Sequence, residues 1–158
     1  MRYNNLKLKN EWGFGLLELL ISISIVGILS LIGIWYFTRA TGAEALKKDT
    51  QGVVAIINEA RALSLASKNA LKYGVHLEEF QTVLFEGDTY LAGAATNKYQ
   101  SFNQRVHKLS HSLNGGGDEI IFSRLTGETE DFGTITLSLI DDVMSSTTVS
   151  INESGVVQ

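Results

Sequence analysis

The sequence predicts an α+β protein: a long N-terminal helix, with a transmembrane base and an amphipathic upper half, packed on a C-terminal antiparallel β-sheet head. An apolar run at residues 14–37 leads into apolar positions at helical spacing, which continue to about residue 71. Beyond Tyr73 the apolar period changes to two, and turn residues separate several short segments. One amphipathic helix followed by short strands is typical of a helix laid on an antiparallel sheet.

The apolar run has 24 residues, and its only ionisable side chain is Glu18. As a helix it would extend about 36 Å, enough to cross a hydrocarbon core of about 30 Å. A signal peptide usually has an apolar core of only about 7–15 residues, so a retained membrane span is favoured. A charge inside a bilayer costs roughly 2.5–3.5 kcal/mol, which makes Glu18 a candidate functional residue. The alternative is a glutamate that merely reaches the headgroups.

The residues before the run indicate its orientation in the membrane. Arg2, Lys7 and Lys9 face a single acid, Glu11. Basic flanks stay on the cytoplasmic side, so the C-terminal part is expected outside. The sequence therefore predicts a single-pass protein of the cytoplasmic (inner) membrane, with a cytoplasmic N-terminus and a periplasmic or otherwise extracytoplasmic head.

Residues 38–72 are expected to continue the helix as an amphipathic extension. Gly42 and Gly52 weaken its middle and favour a bend or break there. The face expected to enter the core is formed by Val53, Ile56, Ile57, Ala60 and Leu63.

Residues 73–158 are predicted to form the β-rich head. Residues 73–93 should contain two strands, a turn at Gly87 and Asp88, and a third strand; residues 103–113 alternate loosely. Three further segments rich in β-branched residues predict strands within 118–125, 133–140 and 147–158. The strand residues expected to meet the helix are Val83, Phe85, Ile121, Ile135, Leu137 and Val149.

Composition excludes several kinds of chemistry. The chain has no cysteine, which rules out disulfides, thiolate nucleophiles and cysteine-ligated zinc. From residue 109 onward it carries one base, Arg124, against eight acids. Such an acidic surface argues against binding phosphates or nucleic acid there.

Candidate ligands and catalysts in the head are weak. His107 and His111 are four residues apart, but their segment reads as extended and lacks a third ligand, so surface histidines are favoured over a metal site. His76 alternates with apolar neighbours and is interpreted as a strand residue. No EF-hand spacing occurs, so calcium binding is the weaker alternative and no cofactor or metal is expected. The acids that would bind calcium are Asp118, Glu119, Glu128, Glu130, Asp131, Asp141 and Asp142.

The stretch "GFGLLELL" at residues 13–20, followed by "ISISIVGIL", closely resembles the N-terminus of type IV pilins and type II secretion pseudopilins. Two departures are Gly15, where the family usually has Thr, and the absence of proline from the whole chain. Residues 120–157 and the helical segment 58–69 are similar to the GspH/FimT group of minor pseudopilins and minor pilins. The resemblance implies a pilin-like fold.

The resemblance also implies how the chain is processed and assembled. Prepilin peptidase would cleave between Gly13 and Phe14, remove a leader of residues 1–13, and leave Phe14 to be N-methylated. Residues 14–37 would be the transmembrane and assembly helix, in which Glu18 pairs with the N-terminal amine of a neighbouring subunit. The implied partners are prepilin peptidase, other pilin or pseudopilin subunits, and the inner-membrane assembly platform.

The function expected from these observations is structural and non-enzymatic: a minor pseudopilin or minor pilin of a type II secretion pseudopilus or type IV pilus-like filament. One alternative is a DNA-uptake (competence) minor pilin, which is disfavoured because the last 50 residues contain one base. The other is a signal-anchored extracytoplasmic enzyme, for which no convincing set of nucleophile, base and orienting residue can be assembled.

Overall fold

The computed structural model describes residues 15–158, apart from the side chains of Trp35 and Thr38. One long helix precedes the strands, and all strand pairing is antiparallel, which confirms the predicted α+β fold. The elements in chain order are α1 Leu16–Leu65, a 3-10 turn at Lys68–Ala70, β1 Tyr73–Leu77, β2 Gln81–Glu86, β3 Lys98–Ser101, β4 Val106–Leu113, β5 Glu119–Phe122, β6 Gly133–Leu139 and β7 Ser146–Ile151. The chain divides into two compact units after Arg39, and residues 40–158 are called the head unit below.

The strands of the head unit form two sheets. The first has the order β3-β2-β1-β5, and the second has the order β4-β6-β7. Strand β5 returns to the edge of β1, whereas the strands on either side of it in the chain, β4 and β6, pair with each other. The chain therefore passes from the second sheet to the first and back again between β4, β5 and β6, so that the predicted β-rich head consists of two sheets.

One face of α1 packs against both sheets, and the predicted helix face is correct. Val53, Ile57 and Ala60 are fully buried, and Leu63 lies at the edge of the same cluster. The sheets contribute Tyr73, Val75, Leu77, Leu84, Val106, Leu113, Ile120, Phe122, Ile135, Leu137, Leu139 and Ile151.

The predicted core residues of β6 are correct. In β2 and β5, the residues that contact α1 lie one position away from the predicted ones. Val75 pairs with Leu84 and Ile120, and all three share the face that packs on α1. Residues adjacent in a strand point to opposite faces. Phe85 is therefore buried on the other face of the first sheet. The alternation in the sequence correctly indicates a buried residue at this position but not the face that it occupies.

The predicted third strand directly after the Gly87–Asp88 turn is wrong. The chain there forms bends and turns, and β3 begins only at Lys98. The ring of Tyr90 stacks on His76 at a centroid distance of 4.1 Å and lies 5.8 Å from the ring of Phe85. This segment therefore covers the face of the first sheet that points away from α1, instead of adding a strand to its edge.

Helix α1 runs without a break through Gly42 and Gly52, so the predicted break is wrong. A Cβ at Gly42 would lie 3.0 Å from Cδ1 of Leu139, and a Cβ at Gly52 would lie 3.0 Å from Nε2 of Gln100. Both distances are tighter than ordinary van der Waals contact. The two glycines let the helix approach the head closely.

Helix α1 ends at Leu65, earlier than the periodicity predicts. Ser67 and Asn69 have positive φ angles of 48° and 53°, which interrupt a right-handed helix. The amide of Leu125 donates to the carbonyl oxygen of Ser64 at 3.0 Å, and the Ser64 hydroxyl accepts from the amide of Tyr73 at 3.0 Å. The start of β1 and the connection after β5 thus provide hydrogen-bond partners for polar groups in the last turn of the helix.

Candidate assembly site on the N-terminal helix

The candidate site begins at the N-terminus of α1. The amide of Leu19 donates to the carbonyl oxygen of Gly15 at 3.2 Å, and Glu18 lies in the first turn. A carboxylate in the first turn interacts favourably with the partial positive charge of a helix N-terminus. Gly13 and Phe14, the predicted cleavage and methylation residues, lie outside the described residues.

Glu18 lies on an exposed apolar surface. The flanking leucines Leu16, Leu17 and Leu19 are 79%, 71% and 52% exposed. Helix α1 contains an 18-residue window that is apolar enough to cross a membrane, and none of that window is buried inside the protein. An exposed apolar surface of this extent requires another apolar environment, which a bilayer or packed helices would provide.

The serines of this surface are compatible with an apolar environment. The hydroxyls of Ser22, Ser24 and Ser30 each donate to the carbonyl oxygen four residues earlier, at 2.7–2.8 Å. These bonds satisfy the hydroxyl protons within the helix. Among residues 15–34 as the structure describes them, Glu18 is the polar side chain whose oxygens have no such partner, and it is the group able to pair with a cation from another chain.

Residues 9–34 match the family model described as a prokaryotic N-terminal methylation motif. Neither the search of curated proteins nor the search of solved structures found a match. The matched segment includes Gly13, Phe14 and Glu18. With the pilin-like architecture of one long helix on antiparallel sheets, the motif implies a pilin or pseudopilin subunit. Proteins of this class are typically structural, are processed by prepilin peptidase, and are anchored in the membrane by the apolar helix before they assemble with other pilins.

The two histidines of β4 cannot ligate one metal ion. The register of β4 shifts between Lys108 and Ser110, and this bulge pairs His107 with Ser138 but His111 with Ile135. Since Ser138 and Ile135 are three residues apart in β6, the two histidines lie on opposite faces of the sheet. Nε2 of His107 shares a hydrogen bond with the Ser138 hydroxyl at 2.9 Å. Across residues 15–158, no cluster of three or more His, Asp or Glu side chains is arranged to hold a metal.

His76 is a strand residue, as predicted, and its ring packs against the loop segment that lies on the first sheet. It lies in β1 under the ring of Tyr90, whose hydroxyl donates to Oε1 of Glu78 at 3.2 Å. Burial, followed by the neighbouring Glu78 carboxylate, raises the pKa of Tyr90 to about 12. Tyr90 therefore stays neutral under ordinary conditions and serves as a packing and hydrogen-bonding group.

Several of the acids considered as calcium ligands bind groups within the head. Oδ2 of Asp131 accepts from the amide of Ile121 at 3.1 Å, and Oδ2 of Asp142 accepts from the Ser145 hydroxyl at 2.8 Å. Asp118 pairs with Lys108, whose Nζ is 2.9 Å from Oδ1 and also donates to the carbonyl oxygen of Leu77 at 2.8 Å. Sequence reasoning did not single out Lys108, because its position beside Asp118 depends on how β4 and β5 are placed.

We expect the Asp118–Lys108 pair to stabilise the head at neutral pH and to lose this effect in acid. The hydrogen bond from Lys108 is the largest of the effects that lower the pKa of Asp118 below its usual value. The free energy of unfolding therefore includes the full contribution of this pair above about pH 3.9, the pKa of an aspartate in the unfolded chain. The contribution is lost as the pH falls through the lower pKa that Asp118 has in the folded protein. The Asp118 side chain is 52% exposed, so solvent screening limits the expected loss in Asp118→Asn to about 0.5–1 kcal/mol at pH 7.

The measurement is thermal unfolding of the full-length protein in detergent, followed by the β-sheet signal in circular dichroism between pH 2 and pH 7. Asp88→Asn is the matched control, because Asp88 forms a 2.7 Å surface pair with Lys72 and its side chain is 77% exposed. A stability difference between wild type and Asp118→Asn that persists unchanged at the lowest pH would contradict the assignment to this carboxylate.

Proposed function

We propose that the protein is a minor pseudopilin or minor pilin of the GspH/FimT group. It is cleaved after Gly13, methylated on Phe14, and assembled into a type II secretion pseudopilus or a type IV pilus-like filament. The observation that carries the proposal is the methylation motif over residues 9–34, joined to an exposed apolar run in α1 with one carboxylate, Glu18. The α+β head that follows is compatible with this class.

The strands of the head support the subgroup. The "I-x-F" pattern of that group corresponds to Ile120–Phe122 within β5, and "G-T-I-x-L" begins β6. The final "V-x-I…G-x-V" pattern begins with Val149 in β7, and the chain then turns back so that Val157 forms a β-bridge with Ile151. All these patterns thus coincide with strand pairs in the head.

Each successive segment of the chain is proposed to have its own role. Residues 1–13 form the leader, and its bases hold it on the cytoplasmic side. Residues 14–37 form the transmembrane and assembly helix, residues 38–72 its amphipathic extension, and residues 73–158 the β-rich head. The cut depends on Gly13, because a side chain there would crowd a narrow protease subsite.

Glu18 is proposed to set the position of one subunit against the next. After cleavage it is the fifth residue of the mature chain, while Phe14 carries a cationic methylated amine. An isolated carboxylate and an isolated ammonium are each costly in an apolar environment, whereas a close pair is tolerated. A subunit that slides along its neighbour is therefore stabilised at the axial register that brings the two charges together.

The test of the proposal is the intact mass of the protein extracted from membranes of a host that contains prepilin peptidase. We expect a mature chain that begins at Phe14 and carries one methyl group on its α-amine. A chain that retains Met1 or Arg2 would indicate an uncut anchor and contradict the proposal. An N-terminus near Thr41 would indicate ordinary signal peptidase and contradict it equally.

A further inference from the structure

The turn after β4 contains the only asparagine–glycine step in the sequence, Asn114–Gly115. The amide of Gly116 donates to the carbonyl oxygen of Leu113 at 2.9 Å, which closes a β-turn with Asn114 and Gly115 at the two central positions. Both residues are exposed to solvent. The backbone nitrogen that follows an asparagine attacks its side chain most readily when it belongs to a glycine, because glycine has no Cβ to obstruct the approach.

The hydrogen bonds of this turn leave the attacking nitrogen unoccupied. The amide of Asn114 donates to the carbonyl oxygen of Phe132 at 2.8 Å, and its Nδ2 donates to the carbonyl oxygen of Glu130 at 3.2 Å. Within residues 15–158, by contrast, the amide of Gly115 donates to no described acceptor. A backbone nitrogen without a hydrogen bond can turn toward the side chain without first breaking native structure.

The packing around the turn favours a glycine at position 115. A Cβ there would lie 2.5 Å from Oδ1 of Asp131, closer than non-bonded atoms approach unless one of them shifts. The other oxygen of this carboxylate, Oδ2, accepts from the amide of Ile121 at 3.1 Å, which holds the Asp131 side chain in place. The contacts that select glycine thus also place the least obstructive residue after Asn114.

We propose that Asn114 is a site of spontaneous deamidation in the folded head. The backbone nitrogen of Gly115 attacks Cγ of Asn114, and a C–N bond forms while the nitrogen loses its proton and the side-chain amide leaves as ammonia. The product is a succinimide ring that includes the backbone. Water then opens the ring at one of its carbonyls and leaves either aspartate or isoaspartate at position 114. The reaction needs only water and does not depend on a membrane, on cleavage or on assembly.

The modification is expected to weaken the end of the β4–β6 pairing. Both products replace the Nδ2 donor with a carboxylate near the carbonyl oxygen of Glu130, so a hydrogen bond is lost and like charges are brought together. Isoaspartate also lengthens the backbone by one methylene between Leu113 and Gly116, the residues whose bond closes the turn. Asn114→Asp, which introduces one of the products directly, should therefore unfold at a lower temperature than wild type.

The test ages the full-length protein in detergent at neutral pH and follows Asn114 by mass spectrometry after digestion with trypsin. Cleavage after Lys108 and Arg124 releases residues 109–124, in which Asn114 is the only side-chain amide. A mass gain from NH2 to OH in this peptide is therefore assigned to position 114. We expect the gain to accumulate with time and to fall to background in Asn114→Gln, whose longer side chain would have to close a larger ring.

Asn69 provides a matched control in the same protein. It is also exposed and lies in a turn, but Ala70 follows it, and the amide of Ala70 donates to the carbonyl oxygen of Ser67 at 3.0 Å. Trypsin releases it in residues 69–72, in which Asn69 is the only side-chain amide. We expect Asn114 to convert at least about tenfold faster than Asn69, which corresponds to about 1.4 kcal/mol in activation free energy.

A parallel sample held in urea separates the effect of the turn from that of the sequence. Comparable conversion of Asn114 in the native protein and in urea, with slow conversion of Asn69 in the native protein, supports the inference. An Asn114 that keeps its amide in the native protein but loses it in urea would show that the folded turn protects the site, and would overturn it. Equal native rates at Asn114 and Asn69 would overturn it as well, and an unchanged unfolding temperature in Asn114→Asp would overturn the expected weakening of the β4–β6 pairing.

Discussion

Gly13→Leu should leave the leader attached and produce a membrane protein that retains residues 1–13. Without a Cβ, glycine leaves the peptide bond before Phe14 sterically open, whereas a leucine side chain would occupy the space where the protease must approach. The bases of the leader and the apolar run are unchanged, so insertion and orientation should persist. The intact mass of the extracted protein measures the result, and we expect the uncut form in place of the mature one.

Gly15 provides the matched control for Gly13. Gly15→Thr introduces the residue that type IV pilins usually carry at the second position after the proposed cut, and a Cβ there meets no described atom within 4 Å. This variant should be cleaved and methylated like wild type. Normal processing of Gly13→Leu would refute the proposed cleavage site. Loss of processing in Gly15→Thr would show that position 15 also tolerates no added side chain, so that the effect would not be specific to Gly13.

Glu18→Ala should separate membrane insertion from assembly. Removal of the carboxylate makes the span more apolar, so the variant should insert and be processed normally. In the assembled state the amine of the neighbouring subunit would lose its partner, and breaking a buried pair costs about 3–5 kcal/mol. That cost corresponds to a loss of at least about a hundredfold in association. The measurement is the amount of the protein recovered with other pilin subunits in sheared filaments or in cross-linked membrane complexes.

Two further variants distinguish the charge of Glu18 from its shape. Glu18→Gln keeps the size and the hydrogen-bonding oxygen but removes the charge, so it should restore only part of the assembly. Ser22→Ala removes a hydroxyl that bonds the Glu18 carbonyl oxygen one turn away, and it should assemble like wild type. Wild-type assembly of Glu18→Ala would mean that Glu18 is only a carboxylate that reaches the headgroups.

The sequence predicts the helix and most strands because their apolar periods are long and regular. It correctly identifies the helix face of Val53, Ile57 and Ala60, where one side is apolar and the other polar. Strand β2 carries four consecutive buried residues, Thr82 to Phe85, so alternation alone cannot tell which face meets the helix. The packing of Tyr90 on the first sheet cannot be predicted from the sequence either, because an aromatic residue after a turn is as typical of a strand as of a packed loop.

The candidate assembly site is proposed from a signal that is local in the sequence. A single carboxylate near the start of a 24-residue apolar run is conspicuous in the sequence; Gly13 directly precedes that run and Phe14 begins it. The Asp118–Lys108 pair depends instead on which strand ends the fold brings together.

The way α1 is fixed to the head determines how the head would respond to mechanical load. Helix α1 contacts the head near Gly42 through Leu139 and near Arg61 through Gly127, with a continuous row of buried residues between. A pull along the helix axis would therefore shear all of these contacts at once rather than peel them one by one. Resistance to forced unfolding is governed by the unfolding rate and not by equilibrium stability. A head attached in this way would be able to transmit a pull between the membrane and whatever the head contacts without first unravelling.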